Sequence, residues 1–236
     1  MIYALDFDGV ICDSIHECFH NTYRTFRLVR SELDLPTQPK TVWREKFYAH
    51  RGLVRPSRNF YLLWNLIIEN LEIASSTIEF ETHTVDYEDI LILFDEEFMS
   101  IRKEQLDGDP QAFLLQNPLF PAVKEIWGEL PRPLYIVTAK DERITKLILE
   151  YNGLNVDGVF GKGTGHKYQT LLRLAKSHKV AVSSVYFVDD NPEYVNEADS
   201  KGIKTALSNW GYGPYGLQQG KSLDSFEQVL GFFNNE

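Results

Sequence analysis

From about Pro118 onward the chain alternates between two periodicities, and this alternation limits its fold more than any other feature. LYIVTA (134–139), VDGVFG (156–161), SSVYFVDD (183–190) and IKTALS (203–208) are short apolar, β-branched runs of strand character. Helical stripes lie around and between them. Pro121 opens VKEIWGEL (123–130), and Ile144, Leu147, Ile148 and Tyr151 form a stripe that stops at Gly153. Tyr168, Leu171, Leu172 and Ala175 form the next, and Asn191-Pro192 begins a helix expected to end near Gly202. SLDSFEQVLGFF (222–233) is expected to close the chain as a helix, leaving IKTALS as the last strand. Alternation of this kind predicts an α/β fold, a parallel sheet with helices on both faces.

MIYALDFDGVICD (1–13) follows the same grammar. Its apolar run, Ile2 to Leu5, ends in Asp6-Phe7-Asp8, and strand alternation sends Asp6 and Asp8 to one face and Phe7 to the other. Gly9 allows a sharp turn directly afterwards. Two carboxylates together at the end of a buried strand repel each other and lose hydration, so they require a cation or a shared proton.

From 14 to 117 the pattern is helical: SIHECFHNTYRTFRLVRSEL closed by Pro36 and Pro39, then VWREKFYAHRG, NFYLLWNLIIENLEIA and YEDILILFDEEFMSIRKEQL. The last is expected to start from Asp86 as N-cap and to end before Gly108-Asp109-Pro110. STIEFETH (76–83) alone has some strand character. The expected organisation is a core domain, 1–13 with 118–236, interrupted by an α-helical cap domain, 14–117.

Open parallel sheets bind ligands at the carboxyl ends of their strands. Those ends carry Asp6, Asp8, Thr138, Asp189 and Asp190, with Lys167 at the head of the Tyr168–Ala175 stripe. Lys162 competes with Lys167, which is preferred because it directly precedes the helix. Oxygen donors of this kind suit Mg²⁺. Zinc is disfavoured, because the six histidines are scattered and no His/Cys group has ligand spacing.

Asp6-Phe7-Asp8-Gly9-Val10, Thr138, Lys167 and Asp189-Asp190 resemble, in order, the four motifs of the haloacid dehalogenase superfamily. ALSNWGYG (206–213) is similar to the loop after the final core strand in its phosphoglycolate phosphatase-like members. The helical segment resembles the cap of the phosphoglycolate phosphatase/β-phosphoglucomutase-like subgroup, inserted after the first motif. One departure is the missing proline after the motif lysine, absent at both Lys162 and Lys167.

The resemblance implies a Rossmann-like core and a Mg²⁺-dependent phosphatase acting on a small phosphorylated metabolite through an aspartyl-phosphate. Asp6 would be the nucleophile, and Asp8 the acid and then the base. Mg²⁺ would lie between the Asp6 carboxylate, the Asp8 carbonyl and Asp190, with Asp189 a direct or water-linked ligand. Thr138 would hydrogen-bond a phosphoryl oxygen, and Lys167 would pair with phosphate and Asp6. Asp8 favours phosphoryl transfer over dehalogenation. A phosphomutase of the β-phosphoglucomutase type shares the first steps, and a non-catalytic binding or regulatory protein on the same fold is the other class.

A net charge of -10 argues against nucleic-acid or anionic-membrane partners. No apolar run approaches transmembrane length, and two aspartates interrupt the N-terminal apolar segment where a secretory signal would continue. Cys12 and Cys18, the only cysteines, suit a reducing compartment, so a cytoplasmic location is expected. Within the cap, His50, Arg51, Arg55 and Arg58 form a basic segment suited either to an anionic substrate tail or to a solvated helix end. Phe60, Tyr61 and Trp64 have the helical spacing of cap core. Oligomeric state is not legible.

Overall fold

The computed structural model describes residues 1–73, 80, 88–213 and 220–235. The chain divides into two compact units, Ser14–Asn117 and a second made of Met1–Asp13 with Pro118–Glu236.

The first unit is helical: α1 (Ile15–Val29), α2 (Thr41–His50), α3 (Phe60–Ile68), α4 (Glu88–Gly108) and α5 (Pro110–Leu115). Spacing of three and four residues on α1 buries Cys18, Phe19, Tyr23 and Phe26 on one side. They join a cluster with Phe47, Phe60, Tyr61, Trp64, Phe94 and Phe98, in which Phe47 and Phe60 stack with centroids 5.5 Å apart. The Trp64 indole N–H donates to Thr22 Oγ1 at 2.8 Å, which satisfies the one polar atom of a ring that is otherwise core. α1 ends at Val29, earlier than Pro36 and Pro39 suggest, because Leu33 N–H folds back onto Arg30 O and the Tyr23 hydroxyl donates to Pro36 O. α4 includes Gly108, a residue or two beyond the expected stop, and Asp109 caps α5. Asp86 and STIEFETH lie outside the described residues, except Phe80, which is helical and buried.

A buried ion pair ties α1 to α4. Arg102 Nε donates to Glu17 Oε1 at 2.8 Å, and its Nη2 donates to Oε2 at 2.5 Å. Asn21 adds a 2.7 Å bond to Glu17 Oε1, and the guanidinium lies over the Phe98 ring.

The second unit holds a six-stranded sheet: β1 (Ile2–Leu5), β2 (Leu134–Val137), β3 (Gly158–Phe160), β4 (Val185–Asp189), β5 (Lys204–Ser208) and β6 (Lys221–Leu223). The order is β3-β2-β1-β4-β5-β6 and every neighbouring pair is parallel. Tyr3 faces Leu134 on one side and Tyr186 on the other, so β1 lies between β2 and β4. The helices are α6 (Val123–Ile126), α7 (Glu142–Tyr151), α8 (Lys167–Ser177), α9 (Pro192–Asp199) and α10 (Gln228–Asn234). Alternation along β1 separates the two faces. Ile2 and Ala4 pack with Leu171, Leu174 and Ala175 of α8 and Ala198 of α9, whereas Tyr3 meets Phe233 of α10. Cover on both faces is why β1, β2 and β4 are apolar and buried along their length, rather than alternating.

Two local expectations are corrected. The last segment is not one helix: Lys221–Leu223 pairs with β5, and α10 begins only at Gln228. A three-residue strand is too short to show a period, and its anchor is the buried Leu223. Pro121 does not start its helix either, because Ala122 takes a left-handed conformation (φ 63°) as N-cap and α6 follows it.

The Glu17–Arg102 pair gives a stability test. Arg102→Met removes the guanidinium that balances a fully buried carboxylate, and such losses cost about 3–5 kcal/mol. Chemical denaturation is expected to show that loss, and Glu17→Gln added to Arg102→Met is expected to recover a large part of it.

Candidate active site at the strand ends

The three central strands bring the site together in the second unit. Asp6 follows β1 and continues its ladder, its N–H bonding Val188 O at 2.9 Å. Thr138 follows β2, its N–H bonding Phe160 O at 2.9 Å. Asp189 is the last residue of β4 and Asp190 is the next. Parallel strands in this order place these ends side by side.

Lys167 links them. It is the first residue of α8, is itself buried, and its ammonium lies 2.8 Å from Asp6 Oδ2 and 2.8 Å from Asp189 Oδ2. The Tyr194 ring lies beneath it at 4.2 Å. Burial by itself opposes the lysine charge, but Asp189, Asp6 and Tyr194 outweigh it, so its pKa is raised above the ordinary value. Lys162, its sequence competitor, is exposed, and its backbone N–H bonds Lys140 O at 2.9 Å.

Asp189 is fully buried, and burial pushes its carboxyl well above the usual range. Lys167 opposes that rise, while Asp6 and Asp190 add to it. Its Oδ1 accepts from the Asn191 N–H at 2.9 Å. Asp190 Oδ2 accepts from the Tyr212 N–H at 2.7 Å. Gly9 (φ 84°) and Gly211 sit so close to Asp190 that a Cβ on either would overlap it. Trp210 Nε1 bonds Val10 O at 3.0 Å and the Tyr212 hydroxyl bonds Asp13 Oδ1 at 2.8 Å, fastening the 208–213 loop to the 9–13 turn.

Asp6, Asp189 and Asp190 each offer an oxygen within 4.8 Å of the others. Asp6 Oδ1 is buried and has no hydrogen-bond partner among the described residues. The Lys167 ammonium contacts Asp6 and Asp189, and Asp190 crowds against both. All-oxygen donors, one of them buried and unsatisfied, fit a hard divalent cation such as Mg²⁺.

Asp8 departs from the sequence expectation. β1 stops at Leu5, so strand alternation does not orient it. A tight turn does: the N–H groups of Ile11 and Cys12 both bond Phe7 O at 2.9 Å, and Asp8 bridges to Cys12. The two aspartates do not share one cation: Asp6 contacts Lys167, and Asp8 contacts Lys140. Lys140 Nζ lies 3.0 Å from Asp8 Oδ1 and 3.3 Å from Oδ2. Sequence reasoning passed over Lys140; the available signal was its place two residues beyond Thr138, at a strand end that already carried a site residue. Thr138 Oγ1 accepts from the Lys140 N–H at 3.2 Å, leaving its own proton to donate.

The basic segment belongs to the helical unit. Arg51 Nη1 donates to Val54 O at 3.1 Å and its guanidinium lies over Phe60, while Arg55 is half-buried and Arg58 exposed. His50 Nδ1 lies 2.7 Å from Lys46 O. Both cysteines are buried thiols.

Comparison of the whole structure with solved proteins finds the same architecture from end to end. A haloacid dehalogenase-like family hydrolase from Streptococcus pneumoniae superposes with a TM-score of 0.67 at 19% identity, covering 98% of this chain and 97% of that one. The chain has the haloacid dehalogenase-like fold. A predicted phosphoglycolate phosphatase from Haemophilus somnus 129PT gives a TM-score of 0.66 at 17% identity, covering 97% of this chain and 96% of its own. A predicted phosphatase from Clostridium acetobutylicum gives 0.66 at 13% identity, covering 100% and 99%. No protein-family model matches the chain, and no curated protein matches it. The haloacid dehalogenase-like fold is therefore carried here with little sequence likeness to these structures. Among the described residues no helix is long and apolar enough to cross a membrane.

The acidic cluster predicts a measurable affinity. At about 100 times its dissociation constant, Mg²⁺ would stabilise the folded state by about 2.7 kcal/mol. Thermal unfolding and titration calorimetry are expected to show that gain in the native protein and its loss in Asp190→Asn.

Proposed function

We propose that the protein is a Mg²⁺-dependent phosphatase that hydrolyses a small phosphorylated metabolite through an aspartyl-phosphate on Asp6. The observation that carries this reading is the Asp6 carboxylate itself. One oxygen is fixed by Lys167, and the other is buried and unsatisfied next to Asp189 and Asp190. A carboxylate so held has lost the hydration that would blunt it as a nucleophile.

Asp6, Asp189 and Asp190, with the Asp8 carbonyl, would hold Mg²⁺, which would supply neutralisation of charge on the phosphoryl oxygens. In the first step an Asp6 oxygen attacks phosphorus, the bond from phosphorus to the leaving oxygen breaks, and that oxygen takes a proton from Asp8. Thr138 donates its hydroxyl proton to a phosphoryl oxygen. Lys167 holds Asp6 in register and balances the phosphoryl charge. In the second step water attacks the same phosphorus, the bond to Asp6 breaks, and Asp8 takes the water proton.

Hydrolysis of p-nitrophenyl phosphate in Mg²⁺ tests this. Asp6→Asn is expected to reduce release to background, and EDTA to stop it until Mg²⁺ is restored. Retained turnover in either case contradicts the reading. Lys167→Ala is expected to lower kcat by about 10²-fold or more, in line with loss of a preorganised charge. Lys162→Ala is expected to change it less than about threefold, as for a solvated surface charge. The reverse order would move the phosphate-binding role to Lys162.

A further inference from the structure

Lys140 is the one buried cation of the strand-end cluster without a role in the chemistry above. Its side chain is 0% exposed, and that of Asp8 is 15% exposed. Both Asp8 oxygens lie within hydrogen-bond reach of its ammonium, at 3.0 and 3.3 Å, so the contact is a fork rather than a single bond. The lysine backbone is clamped on both sides. Its N–H bonds Thr138 Oγ1 at 3.2 Å, and its carbonyl accepts from the Lys162 N–H at 2.9 Å. The stem passes the Phe7 ring, with the ammonium 5.9 Å from its centroid. The turn after β1 sets the Asp8 backbone, and the Lys140 ammonium holds its carboxylate.

An ammonium buried at this cost is not a solvated surface charge, whose contribution would be small. Its geometry fixes the direction of its partner, since contacts from one ammonium to both oxygens leave the Asp8 side chain little freedom to rotate. In the cycle proposed above Asp8 must face the leaving oxygen and then the incoming water.

We propose that Lys140 is a positioning residue for the second half of the reaction, aiming the Asp8 carboxylate at the water that hydrolyses the aspartyl-phosphate. The step balances without a further reactant. The water oxygen bonds to phosphorus, and the phosphorus–Asp6 bond breaks with its electron pair returning to the Asp6 carboxylate. One water proton passes to Asp8. Lys140 touches neither phosphorus nor water in this account and works through Asp8. This rests on the phosphatase reading, because it assigns a role within that reaction.

p-Nitrophenyl phosphate separates the two halves, since nitrophenolate leaves without help from an acid. For this substrate kcat/KM reports formation of the aspartyl-phosphate, whereas kcat also contains its hydrolysis. Lys140→Met is expected to lower kcat at least tenfold and KM in parallel, leaving kcat/KM within about threefold of the native value. A burst of about one nitrophenolate per protein is expected to precede the slow steady state. Lys140→Arg, which keeps the charge, is expected to regain part of kcat. Lys140→Gln provides a second neutral variant if Lys140→Met does not fold, as checked by circular dichroism.

Equal falls in kcat and kcat/KM, or no change in either, would overturn the assignment while leaving the phosphatase reading intact. A native protein that releases no nitrophenolate in Mg²⁺ would overturn both.

Discussion

A single buried ammonium, that of Lys167, holds the strand ends together. Without it, Asp6 and Asp189 would present two desolvated carboxylates to each other at the centre of the sheet, with Asp190 next in the chain. Burial works against the lysine charge and against the carboxylate charges alike, so each is tolerable only because the other is present. The sheet supplies the geometry: β1 between β2 and β4 fixes where the acids emerge, and α8 begins at the lysine. The balance is also incomplete, and that incompleteness is what makes a site. Three crowded carboxylates, with Asp6 Oδ1 left unsatisfied among the described residues, fit the further cation and the phosphoryl group of the proposed reaction.

Two lysine–aspartate contacts divide the labour at this rim. Lys167 and its partners are deeply buried and bound to regular elements, which suits the role of nucleophile proposed for Asp6. Asp8 is more exposed and sits in a turn, which suits a group that passes protons between a leaving oxygen and water. The turn is itself made possible by Gly9, whose missing side chain lets the chain press against Asp190. The 208–213 loop, which follows β5, completes the frame by fastening Asp190 and the 9–13 turn. The order of the chain thus places Asp6, the proposed nucleophile, at its start and the groups that fix it more than a hundred residues later.

Much of this was legible in the sequence because strand ends are. Apolar runs that stop at Asp6, Thr138 and Asp189 mark where β1, β2 and β4 stop, and in a parallel sheet such stops share one edge. Lys167 was readable from the stripe that follows it, since an amphipathic period shows where a helix begins. Asp8 was read through the wrong geometry: alternation was extended past Leu5, whereas the backbone had already turned at Phe7. Lys140 carried no periodic signal at all, because its importance comes from a partner 132 residues away. β6 was missed for a related reason, as three residues give no period and pairing with β5 alone defines them. The basic residues Arg51, Arg55 and Arg58 show the converse, an evident cluster whose partners no sequence pattern identifies.

The central claim is that phosphorus becomes bonded to Asp6. Turnover of a radiolabelled phosphate ester, quenched in acid within the first cycle and followed by peptide mapping, tests it directly. The account predicts protein-bound label on the peptide that contains Asp6, discharged as phosphate when turnover is allowed to finish. Turnover without any protein-bound label, or label on a peptide that lacks Asp6, would contradict it.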